Sequence, residues 1–185
     1  LKEKVQIQGE CFEEMFTQAQ IQQRVQAMGR QIEQDYSGKN PILVGILNGA
    51  FIFLSDLIRT IENIDLEIDF YKLSSYGNEK ISSGKIRLLK SIDANLEGRD
   101  VLVVEDIVDS GLSLQFIRNE ILSLRPNSLR FCTFLYKENV ADLDFEIDYI
   151  GYKIPKQFVI GYGLDYKQVK RNLKSIYALA SEGKN

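Results

Sequence analysis

The chain has 185 residues, enough for one domain with a real core, and its 44% hydrophobic and 26% charged residues are globular proportions that exclude disorder. A formal net charge of -3, without a long basic run, excludes a nucleic-acid or membrane surface that works by bulk charge. Histidine is absent and only Cys11 and Cys132 are cysteines, which excludes Ser-His and Cys-His catalysis and His-ligated zinc; any metal must be a hard ion held by carboxylates, and that points to magnesium.

Ile21, Val25, Met28 and Ile32 recur at spacings of four, three and four, the apolar stripe of an amphipathic helix that Ser37, Gly38, Asn40 and Pro41 end. PILVGIL, residues 41–47, is a continuous apolar run of strand length, expected to be buried on both faces. Gly49 opens a second helix carrying Phe51, Leu54, Leu57, Ile58 and Ile61. Leu66, Ile68 and Phe70 alternate with Glu67, Asp69 and Tyr71, the pattern of a half-exposed strand. A polar, glycine- and serine-rich loop follows Leu73, long enough to be mobile, and then the strand KIRLLKSI, the turn DANLEGRD and the buried strand VLVVED. Residues 112–124 form a helix, Pro126 and Asn127 turn the chain into the strand LRFCTFLY, and the short β-like stretches IDYIGYKI, FVIGYG and SIYALA close it.

Strands alternating with helices from 41 to 136 predict an α/β fold: a mostly parallel twisted sheet flanked by helices, with a small cap formed by terminal segments. A single domain over 1–185 is expected, with its core at about 36–150 and its cap from the N-terminal residues and about 151–185. The cysteines lie far apart among apolar residues, so two buried free thiols are expected. No apolar run approaches the ~20 residues that span a bilayer, and LKEKVQIQGE lacks a signal core. The expectation is a cytoplasmic protein.

The segment that carries chemistry is VLVVEDIVDSGLSL, residues 101–114. Its apolar strand delivers Glu105 and Asp106 to the carboxyl edge of the sheet, where ligands of open α/β sheets bind. Adjacent carboxylates accept from paired ribose hydroxyls, and the following helix N-terminus offers N–H groups to a phosphate. Gly111 allows close backbone approach, and the hydroxyls of Ser110 and Ser113 add donors.

This segment resembles the phosphoribosyl-pyrophosphate signature of type I phosphoribosyltransferases: strand, two acids, two apolar residues, Asp, Ser or Thr, Gly. The resemblance implies that Glu105, Asp106, Asp109, Ser110, Gly111, Leu112 and Ser113 hold the ribose and 5′-phosphate of phosphoribosyl pyrophosphate, with Asp109 as catalytic base. LVGILNGAFIFLSDLIR resembles the pyrophosphate loop of the hypoxanthine-guanine subfamily, so Leu47, Asn48, Gly49 and the distant Arg171 are expected on pyrophosphate, with a peptide at Leu47–Asn48 that can be cis. Asn48 and Leu112 stand where that subfamily often has basic residues. KQFVIGYGLDYKQVKRNL resembles its purine-binding end. That likeness places Phe158 on the base face, the Val159 backbone on the ring edge and Asp165 on magnesium, with Glu105 and Asp106 as further candidate metal ligands. Lys137 would donate to the 6-oxo group, and Ser75 and Tyr76 would belong to a closing lid. The implied protein is a magnesium-dependent purine-salvage transferase, a homo-oligomer (dimer or tetramer) that binds neither nucleic acid nor membrane. A catalytically silent sensor of phosphoribosyl pyrophosphate and a transferase for another base are the alternatives.

Overall fold

The computed structural model describes residues 3–75 and 86–180. Its larger sheet has six strands in the order β5-β4-β3-β6-β7-β8, namely β3 (Ile42–Leu47), β4 (Glu67–Ser75), β5 (Ile86–Lys90), β6 (Asp100–Val108), β7 (Ser128–Lys137) and β8 (Tyr149–Ile154). All neighbours are parallel except β5, which runs antiparallel to β4. The apolar runs of β3 and β6 face both ways. Leu43, Leu102 and Val104 pack under α1 (Gln18–Asp35) and α2 (Phe51–Ile58), while Ile42, Val44, Val101 and Val103 pack under α3 (Leu112–Ser123). Helices therefore cover both faces, as the alternation of elements predicts. A capping box starts α1: Thr17 Oγ1 accepts from the Gln20 N–H at 3.2 Å and Gln20 Oε1 accepts from the Thr17 N–H at 2.9 Å.

The second sheet is small and antiparallel, in the order β1 (Lys4–Ile7), β2 (Glu10–Phe16), β10 (Ile176–Leu179), β9 (Val159–Ile160). The hairpin β1–β2 has no counterpart in the sequence reading. The first of the three closing strands also differs from a cap element: β8 pairs with β7 and extends the main sheet through Ile154. Its outer edge is closed by Arg24 of α1, which donates to the carbonyls of Ile150 and Gly151 at 2.6 and 2.7 Å. Cys11 and Cys132 are both free; Cys132 is buried and Cys11 only partly so. No described helix is long and apolar enough to cross a membrane.

β4, expected to be half exposed, is covered on both faces: Leu66, just before it, and Phe70 pack against the cluster under α1 and α2, and Tyr71 is buried in the cluster under α3. Asp69 and Tyr71 are buried at 8% and 1% exposure, whereas Ile68 is 38% exposed. Asp69 accepts from the backbone N–H groups of Phe70, Asp93 and Ala94 at 2.7–2.8 Å and from Lys90 Nζ at 3.0 Å, so it ties the segment after β5 across this face. Burial pushes its carboxyl up, but the hydrogen bonds outweigh burial and hold it below its ordinary value. Asp69→Ala is expected to cost about 2–3 kcal/mol at neutral pH, because buried donors lose their acceptor. A carboxyl lowered in the fold stabilises above its unfolded value, near 3.9, and loses that contribution as pH falls through the folded value. The gap between wild type and variant in urea melts should therefore narrow between pH 7 and pH 3.

Candidate active site

The parallel strands β3, β6 and β7 run out at one edge of the sheet, and their last residues are Leu47, Val108 and Lys137. β6 passes through Asp109 and Ser110 into Gly111, which caps α3 at a φ of 85°. Gly111 brings no side-chain cap bond, and the Leu112 N–H meets Ser110 Oγ only at 3.5 Å. The first turn of α3 therefore presents donors with little competition from the protein. Beside it lies a cavity of about 300 Å³, lined by Leu47, Glu105, Asp109, Ser110, Gly111 and Ser113 together with Ile46, Leu73, Ile107, Val108 and Leu114. Leu112 is 44% exposed and is not among the lining residues.

A second group joins the acids to the pyrophosphate loop and the cap. Glu105 is buried and Asp106 half-buried, with the Asp106 N–H on Glu105 Oε1 at 3.2 Å. Burial and the charge of Asp106 push the Glu105 carboxyl well up; burial raises Asp106 too, opposed by hydrogen bonds and by the charge of Arg171. The Leu47–Asn48 peptide is cis. Gly49 has no room for a side chain: a Cβ there would lie 1.8 Å from Asp106 Oδ2. Gly163, at a φ of 99°, packs so closely on the Gly49 carbonyl that its own Cβ would lie 2.2 Å from that oxygen. Arg171 donates to the Gly163 carbonyl at 2.8 Å and pairs with Asp165 at 2.8 Å, and Asp165 also accepts from the Gln168 N–H. The chain Asp106–Gly49–Gly163–Arg171–Asp165 is thus continuous.

The third group comprises the residues expected on a purine. Lys137, nearly buried at the end of β7, donates to Asp109 Oδ2 at 2.6 Å, while Asp109 itself is more than half exposed. Phe158, in the link between β8 and β9, is 46% exposed and packs against Phe12 and Tyr166 of the cap. Val159 lies on β9, the edge strand of the small sheet. The Leu179 N–H bonds the Phe158 carbonyl, so by the alternation of antiparallel pairs the backbone groups of Val159 point to the open edge.

Glu105, Asp109, Ser110, Gly111, Ser113 and Leu47 thus share one cavity, Lys137 reaches it through Asp109, and Asn48 stands beside Gly49. Asp165 does not converge with Glu105 and Asp106; among the described residues no three acids or cysteines stand close enough to hold a metal ion. Ser75 ends β4, and Tyr76 with the rest of the expected lid lies outside the described residues. Sequence reasoning passed over Gly163, although Gly161 and Gly163 flanking a single tyrosine signal a backbone in close contact.

Residues 13–167 match the model of the phosphoribosyl transferase domain. The chain belongs to the phosphoribosyltransferase family. Within it, the chain is 43% identical over 173 residues to the hypoxanthine-guanine phosphoribosyltransferase of Dictyostelium discoideum, covering 92% of this chain and 96% of that protein. The hypoxanthine phosphoribosyltransferase structure from Staphylococcus aureus superposes with a TM-score of 0.86 at 40% identity, covering 94% of each chain. The bifunctional protein TilS/HprT of Listeria monocytogenes is 40% identical over 168 residues, and there the match spans 91% of this chain but only 26% of the relative's length.

Proposed function

We infer that the chain is a purine-salvage enzyme that transfers the 5-phosphoribosyl group of phosphoribosyl pyrophosphate to N9 of hypoxanthine or guanine, giving the nucleotide and pyrophosphate, in the cytoplasm. The observation that carries this reading is the meeting, at one sheet edge, of a cavity of about 300 Å³ on a helix N-terminus with the Lys137–Asp109 pair. The likeness to hypoxanthine-guanine phosphoribosyltransferases over nearly the whole chain supports it.

In this reading the N–H groups of the first turn of α3, with Ser110 and Ser113, bind the 5′-phosphate. Glu105 and Asp106 accept from the ribose hydroxyls. Val159 pairs with the purine edge, Phe158 lies on its face and Lys137 donates to the 6-oxo group. As N9 bonds to the anomeric carbon, the bond from that carbon to the diphosphate oxygen breaks. The proton leaving N7 passes to Asp109, and Arg171 with the loop at 47–49 takes the charge of the departing diphosphate. The chemistry of the donors fits magnesium: Glu105 and Asp106 are adjacent carboxyls raised chiefly by burial, a charge a hard cation would stabilise, and Asp165 adds a carboxylate linked to Asp106 through Gly49, Gly163 and Arg171. When bound, magnesium supplies charge neutralisation to the diphosphate leaving group.

Pyrophosphate release with hypoxanthine, guanine, xanthine, adenine and uracil, with and without magnesium, tests the reading. Hypoxanthine or guanine is expected to exceed adenine in kcat/KM by at least about tenfold, since the Lys137 ammonium donates and cannot accept from a 6-amino group. Equal turnover of adenine and hypoxanthine would overturn the assignment of Lys137. A homo-oligomer belongs to the same reading.

A further inference from the structure

We propose that the N-terminal hairpin is part of base recognition, with Phe12 and Tyr166 as positioning residues that fix the ring of Phe158. The proposal rests on the reading of Phe158 as the ring that stacks on the purine. Phe158 stands in a short link between two sheets and is 46% exposed, so nothing in its own backbone pairing holds its ring in one orientation. Two other rings do. Phe12, fully buried on β2, lies 6.1 Å from it at 59°, and Tyr166 lies 6.1 Å from it at 71°. Phe12 and Tyr166 are themselves 6.0 Å apart at 87°, so the three rings close a triangle of tilted and edge-to-face contacts.

β2 supports this triangle twice. Glu10 and Phe12 are two residues apart on one strand and so share a face. Phe12 touches the Phe158 ring directly, and Glu10 accepts from the Tyr166 hydroxyl at 2.7 Å, holding the second supporting ring. Lys167 covers the Tyr166 ring at 5.3 Å from its centroid. A stacking ring fixed before the base arrives loses less rotamer freedom on binding than one that is free to turn. The hairpin, remote in sequence from every residue that touches substrate, therefore acts on affinity for the base and not on the transfer step.

The test is the steady-state KM for hypoxanthine and for phosphoribosyl pyrophosphate, with kcat, in Phe12→Leu, Tyr166→Phe, Phe158→Leu and Ile42→Val. Phe12→Leu keeps the apolar volume and removes two ring contacts; the base KM is expected to rise about 5- to 10-fold, with the phosphoribosyl pyrophosphate KM and kcat within about twofold. Tyr166→Phe keeps the ring and loses only the bond to Glu10, so its base KM should rise about twofold. Ile42→Val, at the start of β3 in the core cluster under α3, trims a fully buried side chain in a cluster that holds none of the three rings and should lower thermal stability without moving the base KM. Parallel changes in both KM values in Phe12→Leu, or a base KM that follows stability in Ile42→Val, would reduce the hairpin to a structural role and overturn the proposal. If Phe158→Leu raises the base KM and Phe12→Leu does not, the proposal falls alone. If Phe158→Leu leaves it unchanged, the stacking reading falls and takes the proposal with it.

Discussion

Gly49→Ala is expected to lower kcat/KM for phosphoribosyl pyrophosphate by about 100-fold or more while the protein stays folded. The added Cβ would fall 1.8 Å from Asp106 Oδ2 and 2.5 Å from its Cγ, so one of the two must move. The Asp106 carboxyl is the end of a short side chain and can rotate away, which limits the loss of stability to the roughly 1–3 kcal/mol typical of overpacking. Activity has no such escape. Asp106 would leave the position beside Glu105 where, in the proposed reading, the two acids meet the ribose, and a misplacement of about 1 Å at a reacting centre can cost on the order of 10²-fold. If the loop moves instead, it carries the Gly49 carbonyl against Gly163, whose backbone also receives Arg171. Either response disturbs the diphosphate end of the site. A melting temperature close to wild type together with unchanged kcat/KM would show that the contact between Gly49 and Asp106 has no part in binding.

The strand, turn and helix of residues 101–114 were legible in the sequence because their signal is local. Four apolar residues, two acids, a turn and a helix start lie within residues 101–114, and each feature dictates the next from short-range physics. The same holds for β3 and for the stripe of α1, whose start at Thr17 and Gln20 the capping-box spacing would also have given. Long-range contacts decided what was not legible. β2 reads ECFEEMF, with three glutamates in seven residues, and becomes a strand by pairing with β10, more than 150 residues away. β8 looks like its two successors and joins the other sheet because β7 and Arg24 flank it. β4 is covered on both faces, which alternation cannot show, because it marks two faces without saying what packs on each. A segment linking β5 to β6 covers the face of Asp69 and supplies the donors that let an acid sit there.

Asp109→Asn is expected to lower turnover by about 10²–10⁴-fold, the usual cost of removing a general base, with little change in KM for phosphoribosyl pyrophosphate. The backbone donors of α3 and the hydroxyls of Ser110 and Ser113 remain in the variant. Folding should be nearly unaffected, since Asp109 is more than half exposed and an asparagine oxygen can still accept from Lys137 at the 2.6 Å contact. The pair makes the expectation sharper than the sequence could. In the proposed reading Lys137 is held by the carboxylate that faces N7 and is also the donor that faces the 6-oxo group. A base with an acceptor at position 6 therefore engages both partners of one ion pair, and their effects should not add. Lys137→Gln should lower kcat/KM for hypoxanthine by itself, and the double variant should fall by clearly less than the product of the two single losses. Raising the pH should shrink the loss in Asp109→Asn, because the free purine then sheds its own ring proton and needs less help. Full additivity in the cycle, with a deficit independent of pH and a large loss of phosphoribosyl pyrophosphate binding, would mean that Asp109 organises the phosphate cradle and moves no proton.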